Sequence, residues 1–472
     1  MKYSIGYNNL YAYNLHDQQT DSKFHSCSDI SDGKKKSGNV IRLLLCCMAF
    51  IVPINATAQQ PQLLLRVDEL FRLGIENSLQ LKSSKIQETI SEDRRKTALT
   101  DRLPDIKIGA NAGFIGQPVI FQQGLTHPVH PEAPDWSQNY SIELTQPVYR
   151  GGRIKYNIKR ADIQKQIATL SYTDNKAEIK LILLQQYLNL FSYYKQREVF
   201  ARNMEESERR LKDISRMKTE GLVTKNDEIR SELQLTNYRL AYQEAQNGIS
   251  ITSQQLDILI GLDESLTIVP DSTLLHSINN LFNYEAYVQL AYENYPGMQI
   301  ARRNTQLAEN DIRLTKANSL PNISLNAGNT LARPVRSTMA DLYNNNWNIG
   351  LSLSYNLSSL YQNKYRMREA RELVQLRLNE EKILMQNIRI NIRSAFIRHT
   401  DSLNRIEALK LSVKQADENY RIVQNRYLNQ LSILTDLLDA SSVRLEAELQ
   451  LTMARMQSIY TYYELQRACG NL

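Results

Sequence analysis

The sequence predicts a mainly α-helical, internally duplicated chain in which short membrane-type β-hairpins sit between very long helices. Three observations predict it: breaker residues are scarce, one pattern of residues is written twice, and four short segments alternate with a period of two. The chain has 472 residues but only 17 Gly and 12 Pro, gathered in short stretches. Residues 153–218 and 362–429 contain neither. Such runs favour uninterrupted helices, and about 65 residues at 1.5 Å each reach roughly 100 Å.

The duplication is long and in register. Leu73, Glu76 and Asn77 recur as Leu290, Glu293 and Asn294, and Leu103-Pro104 recurs as Leu320-Pro321, all 217 positions later. Further on, Leu144, Ala161, Asp227, Leu256 and Gly261 match Leu353, Ala370, Asp436, Leu465 and Gly470, all 209 positions later. The first copy therefore carries eight extra residues between positions 104 and 144. That stretch holds Gln122-Gln123-Gly124 and His127-Pro128-Val129-His130-Pro131, a loop composition. A repeat this long is half a protein copied, not a solenoid unit.

Each half opens with a helical segment closed by Leu-Pro, then shows two alternating segments. In the fourth segment Ile349, Leu351, Leu353, Tyr355 and Leu357 share one face, and Asn348, Gly350, Ser352, Ser354 and Asn356 the other. In the first, Ile106, Ile108, Ala110, Ala112 and Phe114 alternate with Lys107, Gly109, Asn111 and Gly113. A period of two marks a strand with one apolar and one polar face. The small, mostly uncharged polar faces suit a water-filled lumen with lipid outside, and Trp136 and Trp347 suit an interfacial girdle. A soluble sheet packed on helices gives the same alternation. The sparse apolar stripes of the long helices require them to pack along one another as coiled coils.

The N-terminus reads as an export signal: Lys34–Lys36, an apolar run over 41–52, and a small-x-small cleavage site at Ala56-Thr57-Ala58. Residues 1–33 read as an over-extended gene start. Of four cysteines only Cys469 follows the cleavage site, which leaves no internal disulfide. The charge of +7 is spread along the chain, as on a solvated helical surface rather than a nucleic-acid groove. The organisation expected is a removed export signal over 1–58, a first repeat over 59–261, a linker over 262–283 and a second repeat over 284–472. The strands are expected near 106–114, 140–149, 323–331 and 347–357, and the long helices near 153–218, 224–260, 362–429 and 433–469.

An exported chain without a spanning helix is soluble or a β-barrel. A membrane barrel must close, because open edges leave backbone groups unsatisfied in lipid. One chain supplies four strands and known barrels begin near eight. If the strands lie in a membrane, chains share the barrel: two give eight strands, three give twelve.

Two motifs then carry a resemblance. Gln146-Pro147-Val148-Tyr149-Arg150-Gly151-Gly152-Arg153 is similar to a strand-to-helix junction. Its second copy, Tyr355 to Gln362, lacks the glycines. Tyr427-x-x-Gln430-x-Ser432-x-x-x-Asp436-Leu437-Leu438-Asp439-Ala440 is the stronger match. The chain resembles the TolC-like outer-membrane efflux family over about 66–472, with Gln430 where that family usually has glycine. The resemblance implies a homotrimer in the outer membrane, with a twelve-stranded β-barrel continued by a long α-helical barrel through the periplasm. It implies an exit duct of a tripartite efflux or type I secretion system. Its partners would be a periplasmic adaptor (membrane fusion) protein and an inner-membrane pump. The junction residues would be Pro147, Gly151 and Gly152. The returns at Gly221, Leu222, Val223 and at Gln430, Leu431, Ser432 would be the adaptor-contacting tips.

Asp436 and Asp439 are three apart, on one face of the returning helix. By the resemblance that face lines the lumen, so three copies form carboxylate rings that attract cations and gate the channel, with Asp227 contributing. An acidic pair near a helix N-terminus is also ordinary, because the helix dipole favours it. Arg216, Lys218, Lys225, Arg230 and Arg426 are candidates for the pairs that hold the gate closed. No catalytic constellation, metal-ligand set, phosphate loop or cofactor motif stands out, and His127 and His130 read as a loop coincidence. The competing reading is a non-conducting periplasmic coiled-coil scaffold.

Overall fold

The computed structural model describes residues 62–132, 134–273, 283–335 and 340–472. The export signal and cleavage site expected over 1–58 lie outside them, as do residues 274–282 of the expected linker. The first half begins with β1 (Gln62–Leu65), α1 (Val67–Asn77) and α2 (Leu79–Thr100). The expected single opening helix is thus two. Ser78 breaks it at φ −62°, ψ 117° and its side chain caps α2 by accepting from Leu81 N at 3.3 Å. In the second half α5 (Tyr284–Asn294) and α6 (Pro296–Ala317) break at Tyr295, where proline at the first position of α6 suits a helix start.

The first-half strands are β2 (Asp105–Phe114), β3 (Ile120–Gln123), β4 (Thr126–Val129) and β5 (Trp136–Arg150). The short β3–β4 hairpin occupies the inserted stretch that reads as plain loop. β5 starts at Trp136 rather than near 140, because its pairing with β2 continues to Phe114 opposite Trp136. The long helices α3 (Arg153–Thr219) and α4 (Lys225–Ile260) follow, then β6 (Thr267–Pro270). The second half supplies β7 (Asn322–Arg333), β8 (Asn344–Ser354), α7 (Ser359–Leu428) and α8 (Leu434–Ala468). Tyr355–Leu357, expected in a strand, lie beyond the end of β8.

The sheet order is β2-β5-β7-β8, antiparallel throughout. A bulge separates Pro147 from Tyr149. Proline cannot donate to the ladder, so an irregularity there is expected. A separate parallel pair, β1 with β6, joins the start of the first half to its end. Tyr187 of α3 locks that pair: its hydroxyl donates to Leu65 O at 2.7 Å and accepts from Asp271 N at 2.8 Å. Burial pushes the phenol up to about 12. Leu65, Leu70, Leu183, Leu190, Leu256 and Ile268 bury the first-half core around it. Tyr287, Ala291, Ile392, Ala395 and Leu465 make the second-half core. No helix among the described residues is long and apolar enough to cross a membrane.

Candidate functional site: sheet, junctions and helix returns

Side chains paired across antiparallel strands share a face. One apolar row crosses the whole sheet, Ile106–Leu144–Ala327–Ile349, and a second, Ile108–Ile142–Asn329–Trp347, is apolar but for Asn329. Two polar rows cross its other face: Lys107–Glu143–Gly328–Asn348, and Gly109–Ser141–Thr330–Asn346. Both tryptophans lie within strands, and Trp136 packs edge-on against Phe114 at 4.9 Å. Nothing among the described residues covers the apolar rows. Ile108 is 80% exposed and Leu351 70%. A contiguous apolar face of this kind marks an interaction surface. Among the described residues β2 and β8 each have one hydrogen-bonded neighbour, so both outer edges are open there.

The sheet joins α3 through the glycine pair. Gly151 sits at φ +60°, and a Cβ there would approach Ala317 O to 2.6 Å. It therefore needs glycine twice, for its backbone and for its neighbour. Gly152 follows at φ +84°. The second junction dispenses with glycine in another way: Asn356 Oδ1 accepts from Ser358 N at 3.1 Å, and Ser359 Oγ donates to Asn356 O at 2.6 Å. This Asx turn reverses the chain without a left-handed residue.

The two helix returns have the same backbone. At the first, Leu222 N donates to Met217 O and Gly221 N to Lys218 O. At the second, Leu431 N donates to Arg426 O and Gln430 N to Tyr427 O. Both are Schellman closures with a left-handed residue at the turn, Gly221 at φ +77° and Gln430 at φ +60°. Leu222 and Leu431 are exposed at the two extremities, whereas Val223 packs inward against Ile214, Tyr427, Leu434 and Leu437.

Asp436 and Asp439 are both exposed, flanking the buried stripe of Leu434, Leu437 and Ala440. Asp436 accepts from Ser432 Oγ at 2.8 Å. Asp227 differs: its carboxylate accepts from Thr224 N at 2.9 Å and Thr224 Oγ1 at 2.7 Å in a capping box. Those bonds hold its pKa below the ordinary carboxylate value.

Of the five basic residues singled out in the sequence, one joins the two halves of the chain: Arg230 donates to Thr435 Oγ1 at 2.8 Å. Arg216 pairs with Asp213 on its own helix, Lys218 and Lys225 both meet Glu228, and Arg426 donates to Leu431 O. Behind the returns Arg210, Arg444 and Tyr420 form a buried cluster that sequence reading missed. An arginine in a long helix looks solvated. No signal in the sequence set Arg210 apart: Arg209 beside it is solvated, and the positions matching both are polar, Glu418 and Asn419.

Among the described residues no group of three His, Cys, Asp or Glu is placed to hold a metal ion. Residues 287–471 match the family model described as outer membrane efflux protein. No curated protein matches the chain. Solved structures share its fold. The outer membrane protein VceC from Vibrio cholerae is 16% identical, with TM-score 0.70, over 86% of this chain and 96% of that one. The Campylobacter jejuni CmeC outer membrane channel is 15% identical, with TM-score 0.68, over 86% and 85%. The open state of the Neisseria gonorrhoeae MtrE outer membrane channel is 16% identical, with TM-score 0.69, over 86% and 89%. A family of outer membrane efflux proteins is a transport class and not an enzyme class. The second repeat thus matches the outer membrane efflux protein family over residues 287–471, and both repeats share the fold of solved outer-membrane channels.

Proposed function

We propose that the protein is the outer-membrane exit duct of a tripartite efflux or type I secretion system, a passive channel gated at its periplasmic end. The observation that carries this reading is the four-stranded sheet, apolar and uncovered on one face, polar on the other and open at both edges. Uncovered strand edges template pairing with another chain. The strand directions let β8 of one copy continue antiparallel to β2 of the next. Three copies close a twelve-stranded barrel, with the apolar rows toward outer-membrane lipid and the polar rows around water.

The helices continue as a periplasmic barrel whose ends are the returns at Gly221 and Gln430. There an adaptor protein docks on Leu222 and Leu431 and connects the duct to an inner-membrane pump. Asp436 and Asp439, exposed and adjacent on the first turns of α8, form the carboxylate rings of the gate. The geometry of Asp227 suits a different task, the reinforcement of the first return. No chemistry of the chain supplies energy, and the pump supplies it.

The test is extraction followed by planar-bilayer recording. The protein should fractionate with outer membrane, require detergent and run as a trimer after cross-linking. Its conductance should be cation-selective and lose that selectivity in Asp436→Asn/Asp439→Asn. On the sheet, Leu351→Arg should cost roughly 2–4 kcal/mol of barrel stability, and the neighbouring Asn348→Arg far less, because only the first faces lipid. Recovery in the soluble periplasmic fraction would leave the scaffold as the better reading.

A further inference from the structure

Just behind the returns, one side chain touches all the other long helices. Arg210 of α3 is 8% exposed. Its guanidinium donates to Gln234 Oε1 of α4 at 2.9 Å, to Tyr420 Oη of α7 at 3.2 Å and to Ser441 Oγ of α8 at 3.5 Å. All three acceptors are neutral, and among the described residues no carboxylate lies within ion-pair distance of it. A buried cation held by neutral dipoles alone is stable only while every acceptor stays in place.

The neighbours of Arg210 are themselves fixed. Tyr420 carries the Arg444 guanidinium over its ring, 4.0 Å from the centroid, and Arg444 pairs with Glu206 of α3. Gln234 donates to Tyr238 Oη at 3.0 Å, and Tyr238 Oη lies 3.4 Å from Ser441 Oγ. Ser441 sits two residues beyond Asp439 on α8. The hub and the acidic pair therefore share one short stretch of helix.

The duplication does not repeat the hub. At the positions 209 away, Arg210 is matched by Asn419, Tyr420 by Leu211, Arg444 by Leu235 and Ser441 by Glu232. Packing of similar helices alone would not single out one seam. This seam joins α3–α4 to α7–α8 within a chain, and the positions matching Arg210 and Arg444 in the other copy carry no guanidinium.

We propose that Arg210 is a positioning residue for the gate: by holding Gln234, Tyr420 and Ser441 together it keeps α8, and with it Asp436 and Asp439, closed against α3. Opening requires α7–α8 to shift along α3–α4, and Arg210 then exchanges its acceptors for water. A cavity of about 230 Å³ beside it, lined by Arg210, Asp213, Tyr420 and Tyr427 among others, provides room for that water. This inference rests on the duct reading above, and its test separates the two.

Three variants of the full-length, membrane-purified protein are compared with wild type. Arg210→Met removes the donors and keeps an apolar stem. Tyr420→Phe removes one acceptor and keeps the ring for Arg444. Thr461→Val removes another buried hydroxyl, bonded to His399 at 3.0 Å on the same helix pair, about 30 Å from Ser441 along α8. The readouts are amide exchange over 434–441, single-channel conductance and thermal unfolding. Arg210→Met and Tyr420→Phe should each raise exchange there by about tenfold and raise conductance. Thr461→Val should lower thermal stability and leave both unchanged. If exchange over 434–441 rises no more in Arg210→Met and Tyr420→Phe than in Thr461→Val, the positioning role is overturned. If exchange rises as expected but neither wild type nor any variant conducts, Arg210 still holds α8 in place, while the duct reading and the gate it implies fall.

Discussion

The two helix returns share a backbone but not a means of holding it. At the first, Gly221 takes the left-handed position without strain, Thr224 and Asp227 cap α4 reciprocally, and Lys218 and Lys225 converge on Glu228. Hydrogen bonds from Lys218 and then Lys225 hold the Glu228 carboxyl down at about 2. At the second, the left-handed position falls to Gln430 and the N-cap of α8 is Ile433, which offers no side-chain acceptor. What orders the second return is burial of Tyr427, Leu434 and Leu437 against Ile214 and Tyr420. One return is held chiefly by caps and ion pairs of its own residues, the other chiefly by burial, to which Ile214 of α3 contributes. The second carries Asp436 and Asp439. If the proposed gate moves this return, contacts that can be released hold it better than its own turn chemistry would.

The largest test of this contrast breaks the return held by its own caps. Thr224→Ala/Asp227→Ala should destabilise the first return by about 2 kcal/mol, seen as faster amide exchange over 222–230 and none over 431–439. The box also predicts a pH dependence. Because the folded pKa of Asp227 is depressed, its contribution is present above the unfolded value near about 3.9. It is lost as pH falls through the folded value. Exchange at the first return should therefore accelerate on acidification below about pH 4, and Thr224→Ala should flatten that response.

A smaller effect comes from exchanging the left-handed residues. Gln430→Gly should stabilise the second return by about 1 kcal/mol, and Gly221→Gln should weaken the first by a similar amount. Both are read by thermal unfolding of the purified protein, and equal melting curves would show that φ at these positions carries no strain. The smallest is Ile433→Thr, which supplies the missing cap and should add about 0.5–1 kcal/mol, with slower exchange over 434–437. Under the proposed gate it should also reduce open-channel current. Slower exchange with unchanged current would separate local order at this return from gating.

Much of this was legible because it is local or repeated. The alternation of Ile349, Leu351 and Leu353 against Asn348, Gly350 and Ser352 shows a two-faced strand on any backbone. Gly151 and Gly152 announce a turn between strand and helix. The β1–β6 pair was not legible: four residues at each end of a half, about 200 apart, carry no mutual signal until Tyr187 bonds both neighbours. The β3–β4 hairpin hid in loop composition, and Arg210 was indistinguishable from its solvated neighbours Arg209 and Lys212.

By itself the sequence determined the duplication, the long helices, the faces of the strands and the places where the chain turns, because each follows from residue spacing and backbone preference. The tertiary structure decided that Gln430 adopts a glycine's conformation, since packing of Tyr427 and Leu434 compensates for the strain. It decided that Asp227 serves a cap while Asp436 and Asp439 stay exposed, although the duplication writes Asp227 and Asp436 alike. And it decided that one arginine among many is buried at the seam of four helices, because burial depends on which surfaces meet and not on the residues beside it in the chain.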